Sequence, residues 1–380
     1  MDSSRRHNPH EPAIVTAVCN MRPDDNEPTY RGYSLNTLVD HSTYEEVAYL
    51  LLYGRLPNAV EFEQFKTLLT ASGDLPRELI DLLRNLPEKA HPLDVLRTAA
   101  AYLGAVDSEA GIEDTDAELR KAVRMIAKLP AAVAASFRIT HHLDPVRPLR
   151  QLGYTRNFLT QISGYAPDDD AVQVLDAVFI VSADGEGDAS SYTARVTASS
   201  LADVSSSITA AIGSLKGSLN GGGIGAVMRF LQSARESQQS GDAGALQGGA
   251  LERIPGFFPS REGCADPKTQ IIKRLSRRLG QRIGDSAWHR LCERIEEGSE
   301  RSGFRPAASF YTGAIFLMLL IPDALAVSLI AAVRAAGWAA HCIEQRSLCR
   351  IINPSVVYCG PENLEYLPIA RRNGRSQTAA

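Results

Sequence analysis

The stretch SLKGSLNGGGIGAVMRFL at 214–231 places Asn220 directly before Gly221, Gly222 and Gly223 and then enters a short apolar helix. Glycines reach φ > 0 and let the backbone approach a ligand closely, so such a bend presents the group in front of it. Asn220 offers an amide donor suited to an oxyanion or enolate oxygen; its other reading is a residue that satisfies local backbone groups at a helix start. No Lys-Ser/Thr pair follows the glycines and no G-x-G-x-x-G follows a strand, which argues against a nucleotide phosphate. Ser309 carries a hydroxyl that acts as a nucleophile only with a base beside it. Arg334, in VRAAGW, suits a carboxylate, either a ligand's or an internal partner's. His341, in GWAAHCIE, reads as a core histidine, and Arg195, Asp94 and Arg97 read as buried structural ion-pair material.

The elements that must hold these groups are mostly helical. Ser42 and Glu45 form a capping-box signature at the head of STYEEVAYLLLYGRLP, which stops at Gly54 with Pro57 beyond. Helical periodicity recurs at 93–104, 117–128, 171–182, 192–214, 226–236, 267–280, 285–297 and 322–345. Strand-like pieces are confined to 12–18, 28–33 and 350–358. SQQSGDAGALQGGA, at 237–250, reads as a flexible loop, and the first ten residues and the last ten as frayed ends.

A chain of 380 residues suggests about two domains. With 44% hydrophobic and 22% charged residues and a net charge of −4, it carries no basic footprint for nucleic acid. Six cysteines without C-x-x-C spacing suggest free thiols, with no zinc or redox pair, and no metal site is expected. The polar N-terminus lacks the apolar core of a secretory signal, so a cytoplasmic location is expected. The apolar run 314–345 is broken by Pro322-Asp323 and carries Arg334, so it reads as two buried core helices with no membrane span.

Six segments together resemble the citrate synthase family: 30–57, HPLDVLRTAAAYLGA (91–105), SADGEGDASSYTARVTASSLADVSSSITAAIGSLKGSLNGGG (182–223), IPGFFPSREGCADPK (254–268), ASFYTGAIF (308–316) and VRAAGWAAHCIEQ (333–345). The resemblance covers roughly 28–370. It implies an all-α, two-domain protomer in a homodimer, with the active site in the cleft between the domains. The expected division is a flexible segment 1–27, a large domain 28–219 and 334–370, a small domain 220–333 and a tail 371–380.

The family's reaction takes a proton from the carbon beside a thioester. It needs a carboxylate base, a donor to the enolate oxygen and cationic clamps for the oxo acid. Against the family pattern, Asn220 stands where L-H-G-G-A-N has its histidine, and Ser309 where V-D-F-Y-S-G has its aspartate. In place of G-H-R-V-Y the chain has Phe258, Pro259, Ser260, Arg261 and Glu262, so Pro259 takes the position of the ketone-polarising histidine. The binding histidine of A-D-H-E-L-N becomes Gly185, with Gly187 and Asp188 following. The arginine of D-P-R becomes Lys268 and that of A-R-P becomes Asn353, while Arg334 is retained.

Ser309 without a partner is no base at neutral pH, and Pro259 has neither donor nor charge. The loss of a base and a polarising group together argues against ordinary citrate formation, since each such group contributes about 10²–10⁴-fold. With Asp188 and Glu262 entering the site and only Arg261 and Lys268 restoring charge, a doubly anionic oxaloacetate should fit poorly. The leading expectation is a repurposed enzyme of the citrate synthase type, an acyltransferase that turns an acyl group into an alkyl group on transfer. It would make or break a carbon–carbon bond in specialised metabolism, with a CoA thioester as co-substrate, a small carboxylate as the other ligand and no permanently bound cofactor. The other expectation is a pseudoenzyme that partners an active paralogue, including as a heterodimer.

Overall fold

The computed structural model describes residues 14–21, 27–185, 187–217, 223–239, 254–259, 266, 268–300, 303–354, 356–362, 364, 366 and 368–372. The chain forms a helical body, 15–351, and a separate short unit made of its two ends, 1–14 and 352–380. In the short unit a 3-10 turn spans Ile369–Arg371, and the Tyr358 hydroxyl donates to Pro361 O at 2.8 Å.

The described part of the body contains fifteen α-helices, which bears out the all-α expectation. They are α1 (Leu35–His41), α2 (Tyr44–Tyr53), α3 (Ala59–Ser72), α4 (Arg77–Arg84), α5 (Pro92–Ala105), α6 (Thr115–Thr140), α7 (Tyr154–Ser163), α8 (Asp169–Ser182), α9 (Ala189–Ser199), α10 (Val204–Leu215), α11 (Gly223–Gln239), α12 (Thr269–Arg282), α13 (Ala287–Glu300), α14 (Ala308–Met318) and α15 (Asp323–Ser347). An antiparallel three-stranded sheet joins β1 (Cys19–Asn20), β2 (Thr29–Tyr30) and β3 (Tyr33–Ser34), and a second pairs β4 (Phe257–Pro259) with β5 (Phe304–Pro306).

The last long helix, α15, packs against α2, α5, α6, α9, α10 and α11. Its buried face repeats small side chains, including Ala331, Ala332, Ala335, Ala336, Ala339 and Ala340, which lets neighbouring helices approach closely around the fully buried Trp338. By length and hydropathy α15 alone among the described helices could cross a membrane, but 78% of its apolar window is buried inside the protein, as in a core helix. The run 314–345 thus divides into α14 and α15 as expected, with Pro322 as the N-cap of α15.

Several local expectations shift. The pattern at 192–214 is two helices, α9 and α10; Leu201 adopts φ 67° in the break, and Asp203 starts α10 by accepting the Ser206 N–H. The N-cap of α2 is Thr43, which accepts from Glu46 N, and Ser42 instead donates to the Glu46 carboxylate at 2.6 Å. A full capping box occurs at Asn58 and Glu61, heading α3. Helix α6 runs through Pro130 to Thr140, well past the expected end. The described residues of 350–358 form no strand, whereas β4 and β5 arise in segments whose alternation is too short to read. Asp94 and Arg97 do pair, at 3.0 Å, but with side chains 32% and 46% exposed they form a surface pair that also engages Lys216. Cys19, Cys292 and Cys342 are buried and Cys349 and Cys359 exposed, all as free thiols.

Two carboxylates, Glu45 buried and Asp176 half-buried, tie helix starts together. Asp176 accepts the Tyr44 N–H at the head of α2, and Glu45 accepts the Tyr154 N–H at the head of α7. Burial first, and the Glu45 charge second, push Asp176 up to about 7. An acid raised in the folded state stabilises most below its unfolded value of about 4, and this contribution fades as pH rises through 7. Asp176→Asn, which keeps an acceptor for Tyr44, should therefore be more stable than wild type by about 1–2 kcal/mol at pH 8 and no more stable at pH 5. Urea midpoints at the two pH values check this, and a pH-independent difference would contradict it.

Candidate functional site

The loop between α8 and α9 centres on Asp184, which is fully buried. Its carboxylate accepts from His341 Nε2 at 2.9 and 3.1 Å and from Cys19 Sγ at 2.5 Å. Its carbonyl accepts from Lys268 Nζ, and the Tyr30 hydroxyl donates to Val181 O at 3.1 Å just upstream. Helix α15 reaches this loop because Gly337 has no side chain: its N–H donates to Ala183 O at 3.0 Å, and a Cβ there would lie 2.6 Å from Asp184 Oδ1. Burial alone would raise the Asp184 carboxyl, but His341, the Cys19 thiol and the Lys268 cation together hold it well below the usual carboxylate range.

Behind Asp184, Arg195 Nη2 donates to His341 Nδ1 at 2.6 Å and to Glu344 at 2.5 Å. Glu344 also accepts from Thr16 Oγ1 and Ala17 N, which ties down the start of the body. A guanidinium has only donors, so Nδ1 accepts and the ring proton sits on Nε2, facing Asp184. Cys19, Asp184 and His341 offer ligand atoms within 4.8 Å of one another. The Nε2 proton occupies the lone pair that a metal would need, so the trio works as a hydrogen-bonded strut.

Four of the expected site residues meet beside this strut. Arg334, on α15, places Nη2 2.5 Å from Asp188 Oδ2. Asp188 uses its other oxygen to cap α9, accepting from Ser191 N at 2.8 Å and Ser190 Oγ at 2.7 Å. Between them lies Gly185, where an added Cβ would fall 1.3 Å from Arg334 Nη2 and 2.4 Å from its Cζ. The guanidinium therefore fills the space a side chain at 185 would take. Arg334 Nε is buried and has no hydrogen-bond partner among the described residues. Burial, followed by the nearby Arg334 charge, lowers the Lys268 ammonium. Arg334 is thus in an internal ion pair, one of the two readings its sequence context left open.

Ser309 and Pro259 lie at a second corner. Ser309 is half-buried in the first turn of α14, and an added Cβ on Gly256, whose φ is 80°, would sit 3.3 Å from its Oγ. No described side chain hydrogen-bonds to Ser309. Pro259 is exposed on β4, opposite Phe304. Asp266 links the two corners: its carboxylate accepts the Ala308 N–H at 2.8 Å and the Lys268 N–H at 3.0 Å. Asn353 is exposed in the separate terminal unit, and Asn220, Arg261 and Glu262 lie outside the described residues.

Sequence reasoning missed Asp184, Cys19 and Asp266. The available signals were an aspartate directly before Gly185 and another directly before Pro267. Cys19, by contrast, is a lone thiol whose partner is 165 residues away.

With this geometry in hand, comparison with known proteins is informative. The family model described as "Citrate synthase, C-terminal domain" matches residues 10–355. The chain is 37% identical over 351 residues to citrate synthase 2 of Bacillus subtilis, covering 92% of this chain and 94% of that protein. It is 35% identical over 352 residues to the 2-methylcitrate synthase of Shewanella oneidensis, covering 90% and 92%. The crystal structure of citrate synthase from Pyrobaculum aerophilum superposes with a TM-score of 0.82 at 32% identity, covering 94% and 93%.

Asp184→Asn should destabilise the protein by about 1–3 kcal/mol at pH 7, the range for losing hydrogen bonds to a buried charged acceptor and leaving the His341 Nε2–H unsatisfied. Because folding lowers this carboxyl, its contribution is complete above the unfolded value of about 4 and is lost as pH falls through the folded value. The gap between variant and wild type in urea midpoint should therefore narrow in acid, and a constant gap from pH 7 to pH 3 would contradict this account.

Proposed function

The chain belongs to the citrate synthase family, and from that premise we propose that it is a repurposed acyl-CoA enzyme which makes or breaks a carbon–carbon bond and lacks ordinary citrate synthase turnover. The observation that carries the proposal is the pairing of a charged, partly buried cluster with an altered reactive corner. Arg334 and Lys268 lie close together at the loop that holds Asp184 and Asp188, a placement with a desolvation cost that a ligand site would justify. At the position where the resemblance calls for the carboxylate base, Ser309 is half-buried with no described group to take its proton. In this reading Arg334 and Lys268 bind the carboxylate or carbonyl partner, and Asn220 takes the oxyanion-donor role. Arg261 and Glu262, in the segment that follows Pro259, are the remaining candidates for new chemistry, and Asn353 is the candidate from the terminal unit.

The division into a large and a small domain flanking a cleft, the homodimer and a cytoplasmic location belong to the same proposal. The exposed side chains of Val356, Val357 and Tyr366 in the terminal unit are the kind of surface a second copy would cover.

Two measurements test this. Thiol release from acetyl-CoA plus oxaloacetate should stay at background, and release at rates of about 1–10³ s⁻¹, those of ordinary enzymes, would overturn the altered-site reading. Calorimetry with acetyl-CoA, longer acyl-CoAs and free CoA should show binding of at least one thioester. Absence of any, with co-purification of a paralogous subunit, would move the assignment to a non-catalytic partner.

A further inference from the structure

We infer that Gly185, Asp188 and Arg334 act as one specificity unit, in which Asp188 is an internal carboxylate occupying the place on Arg334 that a ligand's second carboxylate would take. The inference rests on the proposed role of this cluster as a ligand site and goes beyond it by naming what the site selects.

A free guanidinium grips a carboxylate with two parallel N–H donors. Here Nη2 is already held by Asp188 Oδ2 at 2.5 Å, which leaves the buried Nε–H without a described partner. The pair is not sealed, with side chains 15% and 22% exposed, so a ligand can reach it from one side. Gly185 is a condition of the arrangement, because any Cβ would collide with Nη2 at 1.3 Å and displace the guanidinium. Lys268 is engaged by the Asp184 carbonyl. In charge the cluster is balanced internally, Arg334 and Lys268 against Asp188 and Asp184, with Asp266 adding a further negative group next to Lys268. A dicarboxylate would bring two charges to a cluster that, among the described residues, has no cation left for the second, a cost that partly buried positions do not tolerate. A monocarboxylate or a neutral carbonyl compound needs only the guanidinium donors that Asp188 leaves unused on the exposed side of Arg334 and the Lys268 ammonium.

The test uses the full-length protein, with pyruvate as a monocarboxylate probe and oxaloacetate as a dicarboxylate probe, titrated by calorimetry at fixed ionic strength. Wild type should bind pyruvate at least about tenfold more tightly than oxaloacetate. Asp188→Asn frees the guanidinium while its amide oxygen still accepts at the start of α9, so the fold should hold. That variant should gain about tenfold in oxaloacetate affinity with pyruvate nearly unchanged. Gly185→Ala, which evicts the guanidinium, should weaken both probes, and circular dichroism confirms that each variant is folded. Tighter oxaloacetate binding by wild type, an unchanged preference in folded Asp188→Asn, or binding of neither probe by either protein would overturn the inference. Acyl-CoA titrations on the same samples report separately on the proposed function: retained thioester binding with an unchanged probe ratio fails the specificity unit alone, whereas lost thioester binding fails the broader reading.

Discussion

The site depends on a single buried anion. Asp184 has no access to water, and a carboxylate in that position is stable only if its oxygens are filled by donors and its charge is answered nearby. His341 from α15, Cys19 from β1 and Lys268 at the head of α12 supply those groups, so one side chain gathers parts of the chain from positions 19 to 341. The histidine is itself held by Arg195 from α9, and Arg195 by Glu344, so the strut extends through three layers before it meets solvent. Removing the central charge would leave donors facing donors. The loop 183–188 and α15 are therefore fixed relative to one another, and Arg334 and Asp188, which project from those two elements, inherit that fixed distance.

That rigidity changes how the substitutions in the loop should be read. Along the sequence Gly185 and Asp188 stand as two separate departures from the pattern the resemblance suggests. In three dimensions they meet on one group: Gly185 leaves the space that the guanidinium fills, and Asp188 pairs with that guanidinium. Asp188 without the nearby guanidinium would be a partly buried anion with only cap hydrogen bonds, and Gly185 without Arg334 over it would leave a void. Gly185, Asp188 and Arg334 are thus one packing unit, in which each residue's place depends on the other two.

How much of this was legible in the sequence follows from the range of each interaction. Helix positions set by local periodicity, such as α5, α8 and α15, were readable, as was the break at Pro322. Boundaries set by tertiary packing were not: α6 continues through Pro130, and α9 and α10 share one apolar pattern although Leu201 turns the chain between them. The one-residue shift of the α2 cap, from Ser42 to Thr43, reflects two adjacent hydroxyl residues with equal capping chemistry, between which only the path out of α1 decides. Of the residues the family pattern named, the structure gathers Gly185, Asp188, Lys268 and Arg334 into one cluster, while Ser309, Pro259 and Asn353 lie apart from it and Asn220, Arg261 and Glu262 fall outside the described residues. Asp184 escaped because an aspartate in a Gly-rich loop has the same local signature whether it faces water or the core. Its role is written in Cys19 and His341, neither of which is a sequence neighbour.

The same reasoning bears on the corner at Ser309. Asp266 already answers the exposed backbone N–H at the head of α14, and it holds the Lys268 backbone in the same grip. A carboxylate is thus present one residue from Ser309, but both of its oxygens are committed to backbone donors. It cannot take over proton abstraction without releasing the start of α14. Among the described residues no side chain hydrogen-bonds to Ser309, so none is placed to take its proton. The Arg334 cluster, whose geometry is complete, is accordingly the firmer of the two corners on which to build an assignment of substrate.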